Sequence, residues 1–396
     1  MKMKTLCVAI VILLSMTIRT WAEVDCNDPN WHNLETNESS VHNCGDAFKN
    51  LCRCSRMCYD GHHQYVVNCT NTGFLDTTPL EHLPNATQVL IFTGNYLTLL
   101  PWNIFGTFDR LPNLKVIDMS NNHIQEICGK AYHHVKRVER LILDFNELSL
   151  DPGRSHPRVF SNFVSLLELH LTDAFEDGQP RDLAETLHDI FVNSNLTQLM
   201  KLHLEQNEIS EFKDPNVFCD LPNLLDLHLG DNALTGLHFN LSCLHKLRFL
   251  DLQRNKFTKI LDSDIRTMES VIKQNQSFTV DFSKNPLTCS CRLNPFIEWM
   301  NKTKVFIRNK SSLQCVEDGK SKSIYGAHPC PLGLRLSKTG ILIALYFFTF
   351  LLVVLLCALV YVNRIKLRKK FEPIINSVNK RVRYSTIATG ETREDV

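Results

Sequence analysis

The chain has 396 residues, of which 44% are hydrophobic, and its 43 basic and 42 acidic side chains give a formal net charge of +1. This near balance excludes the strongly basic class of nucleic-acid-binding proteins. The 15 cysteines favour a protein that matures in an oxidising compartment.

The N-terminal residues 1–22 have the pattern of a secretory signal peptide. Two lysines precede an apolar run over residues 6–14. Thr20 and Ala22 then place small residues at the two positions that signal peptidase inspects. We therefore expect the mature chain to begin near residue 23 and to enter the secretory pathway.

Residues 23–84 are expected to form an N-terminal region and a cysteine-rich cap. Six cysteines lie there, namely Cys26, Cys44, Cys52, Cys54, Cys58 and Cys69. Six cysteines allow many pairings, and the sequence alone leaves the pairing open. Some of these cysteines, together with His62 and His63, offer suitable ligands for zinc, but the oxidising compartment favours disulfides.

Seven segments of the chain repeat the pattern L-x-x-L-x-L-x-x-N-x-L, which defines a leucine-rich repeat. A clear copy consists of Leu224, Leu227, Leu229, Asn232 and Leu234. The L-x-L core predicts a short strand whose leucines point into the core while the residues between them face outward. The asparagine amide bonds to backbone groups where the chain turns. One copy would fit an ordinary amphipathic strand, but seven in register predict an α/β solenoid with an exposed concave sheet.

About seven or eight repeats are expected over residues 85–288, between disulfide-stapled caps. The fourth repeat has Ala174 where the pattern requires asparagine, and a polar stretch follows it. This insert, at about 172–198, contains apolar residues at helical spacing that predict a short helix over 182–191. The insert is either a loop that confers specificity or a tolerated surface insertion.

A C-terminal cysteine cap is expected over residues 285–331, because the last coil of a solenoid has no neighbour to stack on. Its four cysteines are Cys289, Cys291, Cys315 and Cys330. Cys219 and Cys243 fall at equivalent positions of adjacent repeats and are candidates for a further disulfide. Cys128 would then remain unpaired.

Residues 340–362 carry no charge and are long enough to cross a bilayer as one helix. Five basic residues follow between positions 364 and 370, and this excess predicts a cytoplasmic tail over 363–396. Glycosylation sequons that precede the span lie at Asn37, Asn85, Asn195, Asn240, Asn275, Asn301 and Asn309. These features predict a single-pass type I glycoprotein of the plasma membrane.

The tail contains Tyr384 and Ile387 in the spacing of a Y-x-x-Φ sorting signal. An adaptor protein is therefore a candidate partner there. A PDZ protein is a further candidate at the tail, and Glu394 in the terminal Glu394-Asp395-Val396 counts against it. The competing interpretation is a tail whose basic residues hold it against anionic lipid.

Histidine occupies the position between the two strand leucines in three successive repeats, at His170, His203 and His228. Stacking of the coils would bring these side chains roughly 5 Å apart on the concave face. They form a candidate partner-binding patch whose affinity would change near pH 6, as clustered imidazoles gain charge. The competing interpretation is a solvated polar face.

Three features together resemble the trophoblast glycoprotein (Wnt-activated inhibitory factor) family: Phe92-Thr93-Gly94-Asn95 in the first repeat, the split repeat array, and Tyr361-x-Asn363-Arg364 at the span junction. The resemblance implies a plasma-membrane protein that dampens Wnt/β-catenin signalling at a co-receptor and influences adhesion and motility. An adhesion or guidance receptor without a Wnt role is the alternative. No cofactor or catalytic activity is expected, since no phosphate loop, G-x-S-x-G or H-E-x-x-H motif is present.

The cysteine clusters also resemble the flanking modules of extracellular leucine-rich-repeat proteins. In the C-terminal cap this resemblance implies the disulfides Cys289–Cys315 and Cys291–Cys330. In the N-terminal cap it covers Cys44, Cys52, Cys54 and Cys69, while Cys26 and Cys58 exceed the usual four cysteines of that module.

Overall fold

The computed structural model contains two compact units, Met1–His328 and Pro329–Val396. The residues it describes are 26, 44–48, 51–149, 159–177, 180–273, 277–326, 338–365, 368, 372–374 and 376–378. The expected signal peptide, Asn37, Asn275, Cys330, Tyr384 and Ile387 lie outside the described residues.

Short strands recur along the first unit, one or two in each repeat. In chain order they are β1 (Arg53–Tyr59), β2 (His62–Asn68), β3 (Val89–Ile91), β4 (Leu99–Leu100), β5 (Val116–Asp118), β6 (Glu126–Ile127), β7 (Arg140–Ile142), β8 (Glu168–His170), β9 (Lys201–His203), β10 (Asp226–His228), β11 (Phe249–Asp251), β12 (Thr279–Asp281), β13 (Phe306–Ile307), β14 (Gln314–Glu317) and β15 (Lys320–Ser323).

Eleven of these strands form one continuous sheet, in the order β1-β2-β3-β5-β7-β8-β9-β10-β11-β12-β13. The β1–β2 pair is an antiparallel hairpin, and every later pair is parallel. Leu227 pairs with Leu202 on one side and with Leu250 on the other, and all three are 0% exposed. The predicted solenoid is therefore confirmed, with the leucines of the repeat pattern in its core and the sheet on one face.

Asparagine side chains link successive coils where each strand turns inward. Asn122 Oδ1 accepts a hydrogen bond from Asn95 N at 2.8 Å, and Asn122 Nδ2 donates to the Phe92 carbonyl at 2.8 Å. The fourth repeat has Ala174 instead, so Asn146 N donates to the Asp173 carbonyl at 3.2 Å. In the fourth repeat, which lacks the asparagine, a backbone carbonyl thus accepts the hydrogen bond that an asparagine side chain accepts in other repeats.

Four α-helices are described: α1 (Pro180–Phe191), α2 (Asp262–Ile272), α3 (Asn294–Lys302) and α4 (Lys338–Val362). Helix α1 lies in the insert, two residues longer at its start than the predicted helix. Its Leu187 and Phe191 are 0% exposed and join the repeat core. The insert therefore contributes buried apolar surface to the solenoid.

The N-terminal cap is held by three disulfides that the sequence left open. They are Cys26–Cys58, Cys44–Cys54 and Cys52–Cys69. The alternative of a zinc site in this cluster is wrong, because all six sulfurs are consumed in these bonds.

The remaining cysteines of the first unit staple the repeats and the C-terminal cap. Cys219 is bonded to Cys243, and Cys289 is bonded to Cys315. Cys291 is also disulfide-bonded. Among the described residues, Cys128 and Cys357 carry free thiols.

In the second unit, α4 contains the apolar segment Leu342–Val362. Its 21 residues would extend about 31 Å as an α-helix, which matches the hydrocarbon core of a bilayer. By length and composition this helix fits a single membrane span.

Candidate functional site on the concave face

The three predicted histidines lie side by side on β8, β9 and β10. The ring centroids of His170 and His203 are 4.2 Å apart, and those of His203 and His228 are 4.1 Å apart. The planes within each pair are 10° and 11° from parallel. Each side chain retains only about a fifth of its exposure, so the stack forms a partly buried stripe rather than a fully solvated face.

Glu205 lies at the edge of the stack and contacts two of its rings. Its Oε1 is 3.1 Å from His203 Nδ1 and 3.5 Å from His228 Nδ1. Burial opposes ionisation of Glu205, but the hydrogen bond and charge of His203 together with the charge of His228 lower its pKa.

Burial lowers the pKa of His228 to about 4, and the charge of the neighbouring His203 is the second cause of this shift. An imidazole with this pKa is neutral both at pH 6 and at pH 7. The expectation that all three rings gain charge near pH 6 is therefore wrong for His228, because the stack excludes water from this ring.

Glu168, on β8, joins the histidine stack to two basic residues of the neighbouring strands. Its Oε2 accepts a hydrogen bond from Arg140 Nε at 2.6 Å, and its Oε1 accepts one from Lys201 Nζ at 2.7 Å. His170 Nε2 lies 3.6 Å from Oε2. The nearby His170 and the two cations hold the pKa of Glu168 well below its usual range, despite partial burial.

A polar groove of about 800 Å³ lies on the N-terminal side of the stack, between the β1–β2 hairpin and the concave strands. Residues of its lining include Tyr59, Gln64, Lys115, Arg140 and Glu168. The groove therefore shares Glu168 with the histidine stack, and the two features form one continuous surface.

The C-terminal side of the stack continues into an aromatic and an ion-paired residue. The ring of Phe249, on β11, lies 5.3 Å from that of His228, at 64° to it. Arg248 makes two 2.8 Å hydrogen bonds to the buried Asp226. The repeat pattern did not single out Arg140 or Phe249, although each is the first residue of its strand.

Five of the predicted glycosylation sites fall on described residues. Asn85, Asn195, Asn301 and Asn309 are exposed and Asn240 is half-buried. None of these five lies on a strand.

Comparison with known proteins agrees with this architecture. The family model "Leucine rich repeat" matches residues 85–148 and 197–257, on either side of the insert. Trophoblast glycoprotein of Macaca fascicularis is 25% identical over 279 residues, which cover 68% of this chain and 64% of that protein. Trophoblast glycoprotein of Mus musculus is 25% identical over 285 residues, covering 68% and 65%. The chain thus spans about two thirds of the length of these relatives.

The crystal structure of human trophoblast glycoprotein (Wnt-activated inhibitory factor 1) superposes with a TM-score of 0.59 at 24% identity, over 70% of this chain and 95% of that one. At this identity the superposition establishes the shared fold. The chain is a leucine-rich-repeat protein with disulfide-stapled caps. Within that class its sequence and fold are similar to those of the trophoblast glycoproteins.

Proposed function

We propose that this chain is a type I cell-surface glycoprotein whose concave face binds an extracellular or membrane-bound protein partner, without catalysis. The observation that carries this proposal is the ordered surface around Glu168, which fixes Arg140, Lys201 and His170 in one network. Side chains already held in place lose little conformational entropy when a partner binds. Arginine and aromatic residues, here Arg140 and Phe249, are also enriched in the binding hot spots of interfaces.

The type I orientation is supported by the basic residues that follow α4 and by the sequons that precede it. We expect antibody against an N-terminal epitope tag to label intact cells, and antibody against a C-terminal tag to require permeabilisation. Labelling of the C-terminal tag on intact cells would contradict the orientation.

At the level of signalling, we propose that the chain lowers Wnt/β-catenin signalling at the plasma membrane, with a Wnt co-receptor as the candidate partner. The support is the similarity to the trophoblast glycoproteins together with the name of the human relative, Wnt-activated inhibitory factor 1. The test is a β-catenin reporter in Wnt-stimulated cells that express the full-length chain at graded surface levels. Reporter output should fall as surface level rises, and unchanged output would contradict the signalling role.

Adhesion is the second candidate, and one observation favours it. Tyr96, Trp102 and Phe108 are 60%, 66% and 71% exposed, which places large apolar side chains on the surface within a short stretch of the first repeat. Exposed apolar surface of this kind is typical of interaction sites. Cells that express the chain should then aggregate, and a Trp102→Ala/Phe108→Ala variant should not. Aggregation without any effect on the reporter would select adhesion over the Wnt role.

A further inference from the structure

We propose that His203, Glu205 and His228 form a binding site for a divalent transition-metal ion, specifically zinc, on the concave face. Each residue offers one ligand atom, and the three atoms lie within 4.8 Å of one another. Two imidazoles and one carboxylate are a ligand set that zinc takes in proteins. This proposal is independent of the N-terminal cysteine cluster and does not rest on the proposed function.

The separations between the ligand atoms already approach those of a coordinated ion. Ligands at about 2.1 Å from a tetrahedral zinc lie roughly 3.4 Å from each other. Glu205 Oε1 is 3.1 Å from His203 Nδ1 and 3.5 Å from His228 Nδ1. Because the two rings are only 11° from parallel, they must tilt for their lone pairs to converge on one ion. Rotation about the Cβ–Cγ bond of histidine is soft enough for such a tilt.

The backbone holds the two histidines at a fixed spacing. His203 and His228 are paired in register on adjacent parallel strands. Each follows a fully buried strand leucine, Leu202 or Leu227, which anchors its position in the core. The Glu205 carboxylate is oriented in turn, since its Oε2 accepts a hydrogen bond from Thr172 Oγ1 at 3.2 Å. Such outer contacts orient the ligands of metal sites.

The charges around Glu205 favour a bound cation. Glu168 and Asp226 pair with lysine or arginine within 3 Å. In the described part of the chain, by contrast, no lysine or arginine forms an ion pair with Glu205. The carboxylates of Asp144 and Asp251 interact electrostatically with Glu205, so negative charge accumulates around it. Partly buried carboxylates of this kind are stabilised by a cation.

The residue beside Glu205 on the next coil is a glycine, with Asp251 Oδ2 close to the place that a side chain would take. Gly230 follows His228 by two residues, the place that Glu205 holds after His203, and its carbonyl accepts a hydrogen bond from Gln206 N at 3.1 Å. Gly230 thus adds no side chain beside Glu205. Three protein ligands leave a fourth tetrahedral position for water or for a side chain of a bound protein.

The test is a titration of the full-length chain in nanodiscs with Zn²⁺ alone, followed by equilibrium dialysis. A parallel titration with Co²⁺ reports geometry through the visible absorption of a tetrahedral ion. The wild-type chain should bind one equivalent of Zn²⁺ that is lost from the His203→Ala/His228→Ala variant. Glu205→Gln, which preserves shape while removing the charge, should weaken binding and change the Co²⁺ spectrum.

A matched control is available in a second histidine pair. His133 Nδ1 lies 3.1 Å from His134 Nε2, outside the concave strands. The His133→Ala/His134→Ala variant should bind Zn²⁺ as the wild type does. The proposal is overturned if the wild type shows no saturable binding, or if Glu205→Gln and the His203→Ala/His228→Ala variant both bind as the wild type. Thermal unfolding of each variant identifies any that fail to fold, and Glu205→Gln then decides alone.

Discussion

Arg140 on β7 and Asp60 at the tip of the β1–β2 hairpin form an ion pair with Nη2 and Oδ2 2.9 Å apart, although 80 residues separate them in sequence. Arg140 also holds Glu168 through its Nε. One guanidinium therefore joins the N-terminal cap to the network beside the histidine stack. Arginine suits this role because its planar fork can serve two carboxylates at once.

The Glu168 network should make stability depend on pH in a defined direction. Its contacts with His170, Lys201 and Arg140 lower the pKa of Glu168 in the folded state, so the stabilisation is present above the unfolded pKa of about 4.3. It is lost as pH falls through the lower, folded pKa. Glu168→Gln should therefore lower the unfolding temperature of the full-length chain at pH 7, by an amount that shrinks as pH is lowered below about 4.

The control for this prediction is Glu139→Gln, which removes an exposed carboxylate 2.6 Å from Lys115. Surface pairs of this kind contribute at most about 1 kcal/mol, so its effect should be small at either pH. An unfolding-temperature difference for Glu168→Gln that stays constant down to the most acidic pH would contradict the account of the network.

Leu227→Asp should prevent normal folding of the repeat domain. Leu227 is 0% exposed at the centre of β10, and an unpaired carboxylate buried there costs several kcal/mol. Surface biotinylation should show the variant retained inside the cell. Leu75→Asp makes the same change at a residue that is 76% exposed and should reach the surface normally. Equal surface levels for the two variants would show that the ladder register is wrong.

Asn207→Ala tests the role of the repeat asparagines, whose side chains link successive coils. Asn207 Nδ2 donates to the Leu171 carbonyl at 2.7 Å, and its Oδ1 accepts from Ala174 N at 3.0 Å. Removing the amide leaves these buried backbone groups unsatisfied, at about 1–3 kcal/mol each. The unfolding temperature should fall clearly, whereas Asn113→Ala, at an exposed residue with one 3.3 Å hydrogen bond, should change it little. Similar shifts for both would argue against a structural role for the repeat asparagines.

The repeat register and the grouping of the histidines could be predicted from the sequence, because a period of one coil places equivalent residues on neighbouring strands. The ladder position of His203 was sufficient to place it between His170 and His228. The contact between Asp60 and Arg140 could not be predicted, since it depends on the position of the hairpin turn relative to β7. The six-cysteine pairing was open for a similar reason, as it depends on the hairpin register that sets Cys54 and Cys58 on β1.

The low pKa of His228 also could not be predicted from the sequence. Its position between the two strand leucines of the repeat predicts a ring that faces outward, and an outward-facing ring is expected to be solvated. In the structure the neighbouring His203 and Phe249 rings cover it, at 4.1 and 5.3 Å between centroids. Burial by residues of adjacent coils depends on side-chain packing, which a ladder pattern does not encode.

Tyr384 and Ile387 are predicted to act as a Y-x-x-Φ sorting signal in the tail. Tyr384→Ala removes the aromatic side chain and leaves every charge of the tail in place, so it separates sorting from attraction to anionic lipid. Antibody uptake by live cells should slow, and surface abundance should rise. If uptake of the variant and of the wild type proceeds at the same rate, the tail acts through its charge alone.

The most direct test of partner binding through the concave face compares β-catenin reporter repression by three forms of the full-length chain at equal surface levels. We expect the wild type and the His133→Ala/His134→Ala variant to repress the reporter equally. The His170→Ala/His203→Ala/His228→Ala variant should lose most of the repression, because the stack is removed while the strand leucines remain. Full repression by this triple variant would contradict binding through the histidine stack.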